Sequence, residues 1–163
     1  MENLEKDTGI IQRTEKGFSF VHRSLWEYFT ALALLDKNLN AAIHQAANPN
    51  WEEVIRLYAG LLSHKEQKER LESLIKGLWT INRPLALRVT TEVNISAYEF
   101  IKPLIDREEG NQSKLLLIDS VEQSLPLIEK TRHKTLVNET LRILLIECGE
   151  KDCEVIYRCH ELL

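Results

Sequence analysis

The chain is short of the residues that break or staple a fold. Six glycines and four prolines are spread over 163 residues, too few for a collagenous or low-complexity chain. Long uninterrupted helices are favoured instead. The three cysteines are an odd number, and all lie at or after position 148. A disulfide framework needs pairs spread through the fold, so reduced thiols in a cytoplasmic protein are the simpler reading. No apolar run approaches the ~20 residues of a membrane span, and the polar N-terminus is not that of a signal peptide. Positive charge is not in excess either. The net charge of −4 argues against a dedicated nucleic-acid binder. A G-x-x-x-x-G-K-[S/T] phosphate loop is missing, and so is a nucleophile elbow.

What remains is apolar residues at helical spacing. Hydrophobic residues make up 44% and charged residues 28%, the balance of a globular domain large enough for a real core. The expected fold is mainly α: a short N-terminal β-hairpin followed by antiparallel helical pairs, in a HEAT-like α-solenoid or an irregular helical bundle. About nine helices are expected.

The organising stretch runs from Phe18 to Leu35. Phe18 and Phe20 alternate with Ser19, the period of a half-buried strand. Gly9 opens a first strand at Ile10 to Arg13, and Thr14 to Gly17 has turn composition, so the two form a hairpin. From Ser24 the period becomes helical, running to about Asp36. Ser24 with Glu27 reads as a capping box. Leu25, Phe29 and Leu32 share one face, with Tyr28 and Leu35 beside it. His22 sits at the junction of strand and helix, where it could tether one to the other.

Downstream, Asn38 and Asn40 cap a short helix to about Ala47. Asn48, Pro49 and Asn50 form a break. Asn50 with Glu53 then opens a helix whose inner face is Trp51, Val54, Ile55, Tyr58, Leu61 and Leu62. Ser63 with Glu66 makes a third capping box, before a stripe of Leu71, Leu74, Ile75, Leu78 and Trp79. Asn82 and Pro84 start a shorter helix, whose β-branched end at Val89 to Val93 is expected to fray. Ser96 with Glu99 makes a fourth box, and Pro103 is expected to kink its helix. Residues 110–113 read as a linker, followed by a helix from Lys114 to Gln123 and a break at Ser124 to Pro126. Leu136, Val137, Leu141, Leu144, Leu145 and Cys148 give a broad stripe that ends at Gly149. A last helix carries Val155, Ile156, Cys159, Leu162 and Leu163.

Candidate chemistry is sparse. Ser24, His22 and Glu27 have the residue types of a hydrolase triad, but capping already uses two of them, and no catalytic residue is assigned. Cys148, Cys153, Cys159 and His160 are spaced unlike the C-x₂₋₄-C pairs of structural zinc sites, and no metal ligand is assigned. Lys130, Arg132, His133 and Lys134 form a basic cluster best read as a solvated face. The mixed-sign run Lys65 to Arg70 reads the same way. Trp51, Tyr58 and Trp79 lie at core spacing.

The Phe18–Ala31 run also resembles the segment that closes the winged helix of NACHT-type STAND signalling NTPases. That family carries aromatic-x-Phe-x-His-x-Ser/Thr-Phe/Leu-x-Glu-Tyr/Phe-Phe/Leu-x-Ala. Here the positions are Phe18, Phe20, His22, Ser24, Leu25, Glu27, Tyr28, Phe29 and Ala31. Trp26 stands where Gln is usual, and Thr30 where Ala is frequent. More weakly, Trp51 to Val54 with Leu57 to Leu61 looks like the first helical repeat after that winged helix. The resemblance implies that residues 1–36 end a winged-helix-like unit and that 37–163 form a helical repeat domain, the whole being a piece of a longer protein. It implies a non-catalytic regulatory and sensor role in the cytoplasm. His22 would contact the phosphate of ADP in the full-length protein, with ADP or ATP held by the parent and no cofactor by this chain. The partners implied are the parent's nucleotide-binding domain and an unknown protein or small ligand on the helical surface, with neither membrane nor nucleic acid. The alternative is a free-standing HEAT-like scaffold for protein–protein interaction.

Overall fold

A computed structural model describes residues 9–15, 17–93, 95, 103, 111–128, 132 and 134–140. Strands β1 (Ile11–Thr14) and β2 (Gly17–Phe20) pair antiparallel, with Ile11 opposite Phe20 and Thr14 opposite Gly17. Gly17 has φ of 131°, a backbone conformation that a Cβ would strain. The Thr14 hydroxyl donates to the Gly17 carbonyl at 3.2 Å and closes the turn. The Val21 N–H donates to the Ile10 carbonyl at 2.9 Å, one step beyond the ladder.

Six α-helices follow among the described residues: α1 (Arg23–Leu34), α2 (Leu39–Gln45), α3 (Glu52–His64), α4 (Lys68–Ile81), α5 (Arg83–Glu92) and α6 (Asn111–Ser124). A 3₁₀ turn at Pro49–Trp51 leads into α3, and another at Leu125–Leu127 follows α6. Residues 134–140 are helical again. The chain is therefore mainly helical with an N-terminal hairpin, as its patterning implies. The packing is interleaved: α1 lies on α3 and α2 on α4, while α4, α5 and α6 pack each on the next.

The core is built on α3, α4 and α5. Val54, Ile55, Tyr58, Ala59 and Leu62 of α3 are wholly buried. The stripe Leu71, Leu74, Ile75, Leu78 and Trp79 of α4 is buried as its spacing requires. Leu85, Ala86, Leu87 and Val89 of α5 complete this layer, and Leu117, Ile118 and Val121 of α6 cover its far side with Leu136 and Val137. Trp51 is half-buried, its ring edge-on to Trp26 at 6.0 Å. At Gly77 the Ile43 side chain of α2 lies directly on the α4 backbone, where a Cβ would run into its Cδ1 and Cγ1.

Three capping boxes resolve differently from their sequence pattern. The N-cap of α1 is His22, without a side-chain bond, and Ser24 lies inside the first turn. Asn48 caps the 3₁₀ turn, its carboxamide oxygen accepting from the Asn50 N–H at 3.0 Å, while α3 starts at Glu52. Ser63 is still within α3, Glu66 has φ of 56°, and the residue before α4 is Gln67. The S/N-x-x-E spacing fits several registers, and the incoming chain direction selects the cap. The caps at Asn38, accepting from Asn40 N–H at 2.9 Å, and at Asn82, accepting from Leu85 N–H at 3.1 Å, form as expected.

Two further expectations are corrected. The end of α5 does not fray: it is helical to Glu92, with Val89 and Thr90 fully buried. The Thr90 hydroxyl donates back to the Leu87 carbonyl at 2.7 Å, and burial offsets the low helix propensity of β-branched residues. Residues 111–113 belong to α6 and are not a linker. The Ser96–Glu99 box, the backbone around Pro103, the helix stripe from Leu141 onward with Gly149, and all three cysteines lie outside the described residues.

Arg70 contributes more than a surface charge. Its guanidinium donates to the Leu35 carbonyl at 2.9 Å, the Lys37 carbonyl at 3.1 Å and the Tyr58 hydroxyl at 2.8 Å. It thereby closes the C-terminal end of α1 onto α3 and α4, satisfying carbonyls that a helix end leaves free.

Candidate functional site

The hairpin and α1 divide the motif residues between a buried and an exposed side, and not as the spacing implies. The buried positions of α1 are Glu27, Ala31 and Leu34. Leu25 is half-buried, whereas Tyr28, Phe29 and Leu32 are 43%, 41% and 37% exposed. The helix is rotated because Ala31, with no bulk, permits close approach to α3, and Trp26 fills the space against Trp51. Phe29 is left on the outer side, stacked on Phe20 at 5.5 Å and edge-on to Tyr28 at 5.7 Å. Phe18 and Val21 are exposed too, so both hairpin and helix present apolar side chains on the outside.

His22 stands between the two elements. It is exposed, its backbone is extended, and its carbonyl accepts from Leu25 N–H at 3.1 Å and Trp26 N–H at 3.5 Å. Its imidazole makes no hydrogen bond among the described residues. A tethering role for this ring therefore has no support in the geometry.

Glu27 is buried and accepts from Arg23 Nε at 2.7 Å, and Arg23 also reaches the Asn50 carbonyl at 3.5 Å. Its carboxylate thus joins α1 to the approach to α3 and does not reach back to Ser24. No hydrogen bond joins Ser24, His22 and Glu27 among the described residues. Of the basic cluster, Arg132 donates to the Thr91 carbonyl and Lys134 is exposed; residues 130 and 133 lie outside the described set. Among the described residues no three His, Cys, Asp or Glu side chains converge as a metal site requires, and no helix is long and apolar enough to cross a membrane.

A second feature is a groove of 530 Å³ beside α3. Tyr28 of α1, Leu57 and Leu61 of α3 and Val93 after α5 supply its apolar wall, above the bare backbone of Gly60. One rim is an ion lattice between α3 and α5. Arg56 donates to both carboxylate oxygens of Glu92, its Nε at 2.9 and 2.8 Å, and also engages Glu53. Arg88 pairs with Glu52 and with Glu92, the latter at 3.3 Å. Burial disfavours the Arg56 charge, yet the hydrogen bonds and charges of Glu92 and Glu53 together outweigh it, so its pKa is raised. Sequence reasoning misses this lattice. Glu53–Arg56 and Arg88–Glu92 are visible as local helical pairs, but their union needs α3 and α5 side by side.

No protein-family model matches this chain, and no curated protein or solved structure is significantly similar to it.

Proposed function

We propose that this chain is a non-catalytic regulatory and sensor segment of a NACHT-type signal-transduction NTPase. The observation that carries the reading is an exposed His22 at the hairpin–helix junction, its imidazole without a hydrogen bond among the described residues, in a unit that also exposes Phe18, Val21, Tyr28 and Phe29. Such a histidine can donate an N–H to a phosphate oxygen, and the apolar side chains exposed on the same unit give a nucleotide-binding domain something to close on. Closure would hold the parent in its ADP-bound resting state. Engagement of the helical surface by a protein or small ligand would weaken that closure and free the parent to oligomerise. In this role the segment does no chemistry of its own and works in the cytoplasm.

The test uses the native protein. An antibody against this chain is expected to detect a polypeptide much larger than 18.9 kDa. In that whole protein, His22→Ala is expected to lower the ADP that co-purifies and to raise the oligomeric fraction. A native band at 18.9 kDa, or unchanged ADP content, would sink the proposal. The first outcome would pass the exposed apolar face to the second reading, a free-standing HEAT-like interaction scaffold.

A further inference from the structure

The two glycines in the core helices differ in a way that points to the groove. Gly77 has a packing reason, since a Cβ there would press into the Ile43 side chain. Gly60, in the middle of α3, has no such reason: a Cβ there would meet nothing within 4 Å. A glycine inside a helix costs about 1 kcal/mol relative to alanine. Nothing among the described residues offsets that cost, and Gly60 floors the groove. A bare backbone at the base of a groove allows another molecule to approach closely.

The groove's charge and shape narrow what that molecule is. Glu53 and Glu92 face one guanidinium, Arg56, so the lining carries one excess negative charge with His64 counted as neutral. The Glu52–Arg88 pair behind the rim does not alter the balance. Glu53 is the accessible member, its side chain 41% exposed. The volume admits two or three large side chains, while Tyr28, Gly60 and His64 open to solvent. That form fits side chains projecting from a passing segment rather than a small molecule enclosed on all sides.

We propose that this groove receives a basic amphipathic helix of a partner protein, its apolar side chains seated over Gly60 and a lysine or arginine set against Glu53. The inference deepens the recognition role proposed above and rests on it. It does not depend on a nucleotide-linked parent.

The experiment is titration of the full chain with a Leu/Lys amphipathic peptide of about five turns and with its Leu/Glu counterpart. Affinity is read by calorimetry, and position by the amide shifts of Leu57, Gly60 and Leu61. The Leu/Lys peptide is expected to bind and shift those amides, and the Leu/Glu peptide is not. Gly60→Phe fills the groove and is expected to weaken binding about tenfold, the loss of one seated side chain, with Tm unchanged or raised. Glu53→Gln is expected to weaken it about threefold, as for a solvent-accessible ion pair, and to flatten its salt dependence. Absence of binding, equal binding of both peptides, or full affinity in Gly60→Phe overturns the proposal. A Gly60→Phe chain that unfolds several degrees lower also overturns it, because the groove is then filled by the chain itself. This test is read on the peptide and the groove amides, and the ADP test on nucleotide content, so failure here is distinguishable from failure of that one.

Discussion

The α3–α4–α5 layer and the hairpin–α1 unit contain the same kinds of apolar residue and treat them oppositely. In the layer, each predicted inward position of α4 is at most 3% exposed. In the hairpin–α1 unit, Phe18, Tyr28, Phe29 and Leu32 remain open, and the buried face is held by an alanine, a leucine and an ion-paired glutamate. Side chains in the first region are fixed by their neighbours in the chain. Those in the second are left partly uncovered by the described residues. Apolar composition alone does not separate a core from a docking face; the location of the covering atoms does.

The largest effect should come from the layer. Leu74→Ala removes a fully buried side chain and is expected to cost about 2–5 kcal/mol by urea unfolding. Phe29→Ala, on the same scale, should cost far less; comparable losses would erase the distinction between the regions.

Gly77→Ala follows. The gain in helix propensity is about 1 kcal/mol, whereas overpacking against Ile43 costs about 1–3 kcal/mol. Net destabilisation is expected, with rescue by Ile43→Val. A stabilised Gly77→Ala chain would show that α2 does not pack tightly on α4.

Arg70→Met probes the seam between the two regions. It leaves the Leu35 and Lys37 carbonyls and the Tyr58 hydroxyl without this donor, for a loss of about 1–3 kcal/mol. Alkaline pH tests the burial of the same Tyr58 hydroxyl. Burial raises the Tyr58 pKa above its ordinary value of 10.0, and the Arg70 charge and hydrogen bond lower it by less. The folded state then keeps its proton at a pH where the unfolded state loses it. Stability linked to Tyr58 is thus complete below pH 10.0 and falls as pH rises further. Tyr58→Phe should flatten that fall in urea titrations; an unchanged slope would remove Tyr58 as its source.

The smallest effects belong to the outer face. Phe18→Ser is expected to change stability by no more than about 0.5 kcal/mol while reducing binding of a hydrophobic dye. A strong loss of stability would mean that this face is already covered.

Much of the fold is legible before packing is considered. The stripe of α4, and that of α3 apart from the half-buried Trp51 and Leu61, follow from a 3.6-residue period, which a window of sequence contains in full. The hairpin is legible for a similar reason, since its register is fixed by a short turn whose last residue, Gly17, tolerates a positive φ. The capping boxes are not, because the pattern lies off the true N-cap, after His22 at Ser24, before Trp51 at Asn50 and a full turn before Gln67 at Ser63. The candidate site is legible only in part. His22 and the residues around it can be picked out as a local motif, but Gly60, Glu53 and Glu92 belong to one groove only after α1, α3 and α5 are assembled.

Sequence alone therefore determined the helices, their strongest inward faces and the hairpin, since each depends on contacts between residues near in the chain. Tertiary structure decided the rotation of α1, the exposure of Tyr28 and Phe29, and the ion lattice from Glu52 to Glu92. α1 is apolar on more than one side, so its own pattern does not select a face. The choice fell to the side on which Ala31 lets α3 come close and Trp26 meets Trp51, a gain in packing available only between segments distant in the chain.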